Sequence, residues 1–415
     1  MNAETQEFRI SVHGLTLDMF VARLDRPWIG TGFPLEGLKI TSDDQIFQLQ
    51  RLCAFVHVDV SRGRSPDLRY VSFNDDAMMR HARGEDEIEA LRRTRWVPTT
   101  GFDTELGDAT QAHVRLQAGI NAVMDDLHNG GKLDLDKLSE GIDTLVDSIT
   151  RNPSAVPWIL ELRRKSDYSY QHALGCSVWA ATFGRHLGLE KEQLRDLAMG
   201  GLLCDIGKVR LPDELLARQG RLSDADWSLL HSHVTESSRI VEDTPGLSAG
   251  VIEMVAHHHE RHDGSGYPRG LRGTQIPIFA RIIGLIDSYD AMTSTRPHAP
   301  SRAPHEVIME LYQCRDTLFQ AELVEQFIRT SGIYPTGSLV ELSDGTVGVV
   351  MSVHSLKRLR PCVLLLLDAD KRPLPEFRTI DLSQIEEDVQ QRPLSIKGSL
   401  PRGAYGVDPA QLFLD

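Results

Sequence analysis

Apolar and polar positions alternate in the first part of the chain. The runs FRISV, MFVARL and FVHVDV predict short strands within the first 65 or so residues, and DDQIFQLQRLC over 43–53 predicts one helix among them. The segment 83–110, RGEDEIEALRRTRWVPTTGFDTELGDAT, is charged and interrupted by Pro and Gly, and reads as a linker. A 3.6-residue period then takes over: Leu116, Ile120, Val123, Met124 and Leu127 share one face, and NGG at 129–131 stops that helix. Helical patterning continues to about residue 330. From Tyr334, SLVEL, TVGVVMSV and CVLLLL predict strands, with a hairpin at Asp344-Gly345. The last 25 residues show no clear pattern.

The expected fold class is mainly α: an all-helical core with a small N-terminal α+β module and a small C-terminal β module. The boundaries are 1–65 for the first module, 66–142 for a linker and connecting helix, 143–335 for the helical domain and 336–415 for the β module and tail. A formal charge of −14 over 415 residues argues against DNA or RNA as a partner, although a small anion can still bind through a local cation or a metal. No apolar run approaches the ~20 residues of a membrane helix, so no membrane insertion is expected. The start MNAETQEFRI lacks the layout of a signal peptide. The five cysteines are widely spaced without a C-x-x-C pair, which fits reduced thiols and a cytoplasmic location.

Ligand-type residues recur on helix faces expected to point inward. On 168-YSYQHALGCSVWAATF-183, His172 shares a stripe with Cys176, Trp179 and Phe183. The apolar run MGGLLCDIGK ends on Cys204 and Asp205. A Ser223/Asp226 capping box opens a helix on which Leu229, His233, Ser237 and Ile240 share a face and His231 points elsewhere. Next come 257-HHHERHDGSGYP-268 and 279-FARIIGLIDSYDAM-292, the latter with Asp287 and Asp290 on an apolar helix. Each residue alone has a bland explanation as a satisfied core histidine, a paired acid or a small buried thiol. Their recurrence on four helices instead suits a two-metal hydrolytic centre, which uses imidazoles and bridging carboxylates.

The order Y-x-x-x-H, D-x-G-K, a lone H, H-H-E-x-x-D-G-x-G-Y-P and D-x-x-D-A-M-T-S-x-R-P over about 145–335 resembles the HD-GYP family. Its members are cyclic di-GMP phosphodiesterases in a branch of the HD metal-dependent phosphohydrolases. Residues 27-PWIGTGFPLEG-37 also resemble an N-terminal module often joined to such domains. The resemblance implies His172, Asp205, His233, His258, His259 and Asp287 as ligands, with Asp205 bridging two divalent ions, iron or manganese. It places Lys208 on the scissile phosphate and Arg296 on substrate phosphate or guanine. Asp263, Gly264, Gly266, Tyr267 and Pro268 would form the loop shaping the substrate site.

Three positions depart from the pattern. Cys204 stands where the family has a ligand histidine; it either ligates metal through a softer, shorter side chain, leaves one ion weakly held, or marks a dead site. His298 and Ala299 follow Arg296-Pro297 where a Tyr and a basic residue are more usual. Tyr168 replaces a Glu that holds a third metal in some members, so two metals at most are expected. An intact site implies cleavage of cyclic di-GMP to pGpG by a hydroxide bridging ions about 3.5–4 Å apart, with a second cut to GMP, as in relatives, left open. The alternative is a degenerate member that binds cyclic di-GMP or docks a signalling partner through the GYP loop. The 112–128 stripe leaves a homodimer open beside burial within one subunit.

Overall fold

The computed structural model describes residues 7–67 (without 27, 29, 30, 35, 36 and 61), 87–163, 168–353 (without 221, 297 and 298), 359–384 and 394–407 (without 402). Contacts divide the chain into two compact units, Met1–Gly84 and Glu85–Asp415. In the first, β1 (Glu7–Ser11), β2 (Phe20–Leu24), β3 (Leu38–Lys39) and β4 (Phe55–Asp59) form an antiparallel sheet in the order β1-β4-β2-β3. The helix α1 (Asp43–Leu52) opens on a reciprocal capping box between Ser42 and Gln45. Its Leu49 joins Ile10, Val21, Val56 and Val58 in a closed apolar core. Residues 27, 29, 30, 35 and 36 of the stretch matching the N-terminal module lie outside the described residues.

The second unit is built on α2 (Phe102–His128) and α3 (Asp136–Arg151). Leu116, Ile120, Val123 and Leu127 of α2 share one core with Leu138, Ile142, Leu145 and Ile149 of α3. The stripe that left a dimer open is therefore buried within one chain. The expected linker also differs. Gly101 caps α2, so the helix already runs through Phe102 to residue 110, and Ile88 belongs to the main core. The stretch before α2 is tied down: Thr94 N–H donates to Gly188 O at 2.9 Å and Trp96 Nε1 to Leu189 O at 2.9 Å. Charge and breakers read as a linker here because these long-range bonds have no local sequence pattern.

Next in order are α4 (Ala155–Leu162), α5 (Tyr168–Leu187) and α6 (Lys191–Leu203). They are followed by α7 (Asp213–Leu216), α8 (Asp224–His231), α9 (His233–Glu242) and α10 (Ala249–His257). The last three are α11 (Ile278–Thr293), α12 (Pro304–Gln313) and α13 (Ala321–Ser331). Leu174, Cys176, Val178, Ala180 and Phe183 bury every side of α5, as expected of a central helix. Trp179 and Phe183 of α5 meet Tyr289 and Phe327 edge to face, with centroids 5.0–6.0 Å apart within this cluster.

The C-terminal strands β5 (Leu339–Leu342), β6 (Val347–Ser352), β7 (Cys362–Leu367), β8 (Pro373–Asp381) and β9 (Ile396–Leu400) form an antiparallel sheet in the order β8-β7-β6-β5-β9. The run CVLLLL is apolar on both faces for a reason. Leu364 and Leu366 join the helical core, whereas Val363 and Leu365 belong to a separate core with Val340 and Leu382. Strand β9 lies in the tail that showed no pattern; it pairs with the edge of β5 and its IKGSL sequence is only half buried. Among the described residues, no helix is long and apolar enough to cross a membrane.

Glu105 of α2 ties this unit together. Its carboxylate accepts hydrogen bonds from Thr100 Oγ1 and Ser148 Oγ, both at 2.7 Å, and pairs with Arg151. Burial raises its pKa, but Arg151 and the two hydroxyls outweigh that and hold it below the usual 4.5. The resulting stability is present in full above that value and is lost as pH falls through the folded-state value. Glu105→Gln is expected to cost about 1–3 kcal/mol at pH 7, with the difference from wild type shrinking in acid. Urea unfolding at pH 7 and pH 4 measures both, and equal stability at pH 7 would contradict this role.

Candidate metal centre

The centre is organised around Asp205, which follows α6 and begins a tight 3-10 turn over Ile206–Arg210. Gly207 fixes that turn against α9. Its N–H donates to Ser237 Oγ at 2.8 Å, and a Cβ here would lie 2.3 Å from both His233 O and Ser237 N. The D-x-G-K spacing therefore carries a packing requirement: only glycine lets the turn bearing Asp205 approach the helix bearing His233. Asp205 is buried, and Lys208 Nζ contacts its Oδ2.

Four other helical elements, α5, α9, the end of α10 and α11, aim imidazoles and a carboxylate at it. His172 Nε2 of α5 lies 3.3 Å from Asp205 Oδ2 and 3.0 Å from Asp287 Oδ1. His233 Nε2 is 2.9 Å, and His258 Nε2 3.9 Å, from Asp205 Oδ1. His259 Nδ1 is 3.8 Å from Asp287 Oδ2. The six residues expected as ligands thus come together, in overlapping groups joined through Asp205 and through His172 with Asp287.

The outer nitrogens are also assigned partners. His233 Nδ1 bonds Leu230 O at 2.7 Å and His258 Nδ1 bonds Val255 O at 2.8 Å. An N–H donated there leaves each Nε2 as a lone pair facing the centre. His172 Nδ1 is held by Asp290 Oδ2 at 2.8 Å, in a carboxylate–histidine arrangement that orients a metal ligand. Asp205 Oδ1 and the Nε2 atoms of His233 and His258 are buried without a hydrogen bond of acceptable geometry among the described residues. Converging acceptors of this kind are costly unless a cation sits between them. Hard carboxylate oxygens with neutral imidazoles fit a divalent metal ion.

Charge agrees with geometry. Burial raises the pKa of Asp205, but the Lys208 ammonium, followed by the neighbouring His233 and His172, outweighs it and keeps the carboxyl ionised well below its usual range. Burial pushes His258 down to about 4 and His259 well below the ordinary histidine value, so both imidazoles are neutral at pH 7.

Cys204 behaves differently from the expected ligand. Its thiol donates to Gly201 O at 3.3 Å, and it belongs to none of the converging groups among the described residues. A hydrogen bond with Cys176, then burial, pushes its pKa well above the usual thiol value. The side chain is shorter than histidine and turns back onto its own helix, where it packs as a small apolar group. Cys176 itself lies 3.8 Å from both ring nitrogens of His172.

The GYP loop forms one wall. The Tyr267 ring stacks between His259, with centroids 4.7 Å apart, and His231, at 4.0 Å. His231, expected to point elsewhere, therefore completes the wall, while Leu229 is exposed rather than sharing the inward face. Chain continuity breaks the simple helical wheel here, because α8 ends at His231 and α9 starts at His233. Gly266 presses on the backbone of His259 and Arg261, and the Tyr267-Pro268 peptide is cis. Asp263 is exposed and accepts from Ser265 N at 2.9 Å, so its visible work is to shape the loop. Arg296 closes a turn with Ala299 and makes no contact with the ligand group among the described residues. Residues 297 and 298, and the side chain of Tyr168, lie outside the described set.

Sequence reasoning passed over the supports. Besides Asp290, the buried Glu260 accepts from the N–H groups of Arg269 (2.7 Å) and Leu271 (2.9 Å), clasping the loop. Arg261 Nη1 donates to His258 O at 3.0 Å. The available signal was a carboxylate or guanidinium beside the candidate ligands in an otherwise apolar setting, which must find a partner.

Helical fold, converging ligands and oriented imidazoles define an HD-type phosphohydrolase. The HD domain family matches residues 154–323, a KOW domain associated with HD domains matches 339–393, and a domain of unknown function (DUF3391) matches 7–138. The chain is 30% identical over 387 residues to cyclic di-GMP phosphodiesterase PA4108 of Pseudomonas aeruginosa, covering 91% of this chain and 89% of that one. It is 37% identical over 144 residues, 35% of this chain and 33% of the relative, to 3'3'-cGAMP-specific phosphodiesterase 1 of Vibrio cholerae. A cyclic di-GMP phosphodiesterase of Thermotoga maritima is 32% identical over 163 residues, 39% of this chain and 44% of the relative. The protein belongs to the HD-GYP family.

Asp290→Asn tests the orienting carboxylate. Metal affinity is expected to fall roughly 10–100-fold with the circular dichroism spectrum unchanged. Chelator competition measures it, and wild-type affinity would show that Asp290 does not position His172.

Proposed function

We propose that the protein is a metal-dependent cyclic dinucleotide phosphodiesterase that opens cyclic di-GMP to linear pGpG and, in a second cut, to GMP. The observation that carries this reading is that three buried acceptors, Asp205 Oδ1, His233 Nε2 and His258 Nε2, converge beside Lys208 without a hydrogen bond of acceptable geometry among the described residues. The near full-length relative that bears a cyclic di-GMP phosphodiesterase name supports the substrate.

When bound, two iron or manganese ions in this ligand set supply Lewis-acid charge to the phosphoryl group and acidify the attacking water. His172, Asp205, His233, His258, His259 and Asp287 would hold them. Asp290 keeps the His172 ring aimed inward. Lys208 stands beside Asp205 and offsets the negative charge that grows on phosphorus. Tyr267, braced by His231 and His259, excludes water from one side and lines the path of a guanine base. Arg296, whose buried Nε has no hydrogen-bond partner among the described residues, supplies a further cation for the substrate. The six converging residues favour catalysis over a binding-only module.

The test is hydrolysis by anaerobically purified protein of cyclic di-GMP and of 3'3'-cGAMP, with metal content measured on the same samples. Faster turnover of cyclic di-GMP to pGpG is expected; preference for cGAMP would overturn the substrate assignment. Lys208→Gln is expected to lower kcat roughly 10²–10³-fold while metal content stays at the wild-type level. A loss of metal equal to the loss of rate would make Lys208 structural instead.

A further inference from the structure

The helix that carries His172 lines a second recess about two turns further along. Trp179, Arg185 and His186 of α5 face it together with Trp96, Phe102 and Arg329, around a volume of about 550 Å³. That is within the range of small-molecule sites. The described lining contains two arginines and a histidine but no Asp or Glu, in a chain whose formal charge is −14. A recess whose fixed charges are both arginine, in an acidic protein, suits an anion.

Two buried groups here are incompletely satisfied. Arg185 is 8% exposed, and its Nε and Nη2 share a single backbone acceptor, Thr150 O, at 3.3 and 3.2 Å. No carboxylate pairs with it among the described residues, and burial alone pushes its pKa down to about 10. A guanidinium has five N–H donors and is expensive to bury without a counter-charge. Trp179 is 3% exposed, and its Nε1 donor has no hydrogen-bond partner among the described residues. The ring cannot readily turn to find one, because Tyr289 and Phe327 hold it edge-on with centroids 5.4 and 6.0 Å away. Trp96 spends its own N–H on Leu189 O, so it offers the recess ring surface.

The recess thus offers cations to an anion, an indole N–H to an acceptor, and the rings of Trp96, Phe102 and Trp179 to a flat apolar body. We propose that it is a second ligand site, separate from the metal centre, for a nucleoside monophosphate. The phosphate would meet Arg185 and Arg329, and the heterocycle would stack on the aromatic rings while accepting from Trp179 Nε1.

The probe is GMP, titrated into the full chain as wild type and as Asp205→Asn, which disables the metal centre. Calorimetry and tryptophan fluorescence provide the readouts. Saturable binding to Asp205→Asn with quenching is expected, and guanosine or inorganic phosphate alone should bind at least about 10-fold more weakly. Arg329 is exposed, so Arg329→Ala removes its charge without touching the core and should weaken GMP about 10-fold. Trp179→Phe keeps the ring but removes the donor, and should weaken it several-fold. The proposal is overturned if Asp205→Asn shows no saturable GMP binding, or if Arg329→Ala leaves the affinity unchanged. Because binding is read without turnover, these outcomes are independent of the phosphodiesterase assignment.

Discussion

A carboxylate at the end of an apolar helix must be neutralised, and much of the site follows from how Asp205 is. Its immediate partners are Lys208 on the next turn, His172 from α5 and His233 from α9. Each arrives on a separate element, so the charge of Asp205 requires at least three helical segments to meet. Gly207 permits that meeting by letting the turn touch α9 without a side chain between them. The supports one layer out, Asp290 behind His172 and backbone carbonyls behind His233 and His258, then decide which nitrogen of each ring faces inward. Binding chemistry is prepared by packing before any ion arrives.

Much of this was legible in the chain. Alternation located β1, β2 and β4, the 3.6 period located the core face of α2, and the spacing of His172, Cys176, Trp179 and Phe183 identified a buried helix. The converging side chains were legible because a polar residue inside an apolar period needs a reason to be there. The supports were harder to see. Glu260 and Arg261 act on backbone groups that carry no side-chain identity in the sequence. His231 stacks on Tyr267 only because the chain turns at Ser232, and a continuous helical wheel places it wrongly. The tie of 93–99 to the helical unit and the pairing of β9 with β5 depend on long-range hydrogen bonds for the same reason.

Cys204 shows how a familiar position can be used differently. A histidine there would have the reach to join the ligand group. A thiol bonded to Gly201 O and lying against Cys176 does not, and its raised pKa keeps it neutral in the apolar core. The remaining six residues still supply both carboxylates and four imidazoles, enough to share two ions when solvent or substrate completes their coordination.

The most direct measurement is therefore metal stoichiometry and cyclic di-GMP turnover of Cys204→Ala beside wild type, both purified without oxygen. Equal metal content and comparable turnover are the expected result, because the thiol packs rather than ligates. Loss of one metal equivalent together with turnover in Cys204→Ala would contradict it and make Cys204 a seventh ligand.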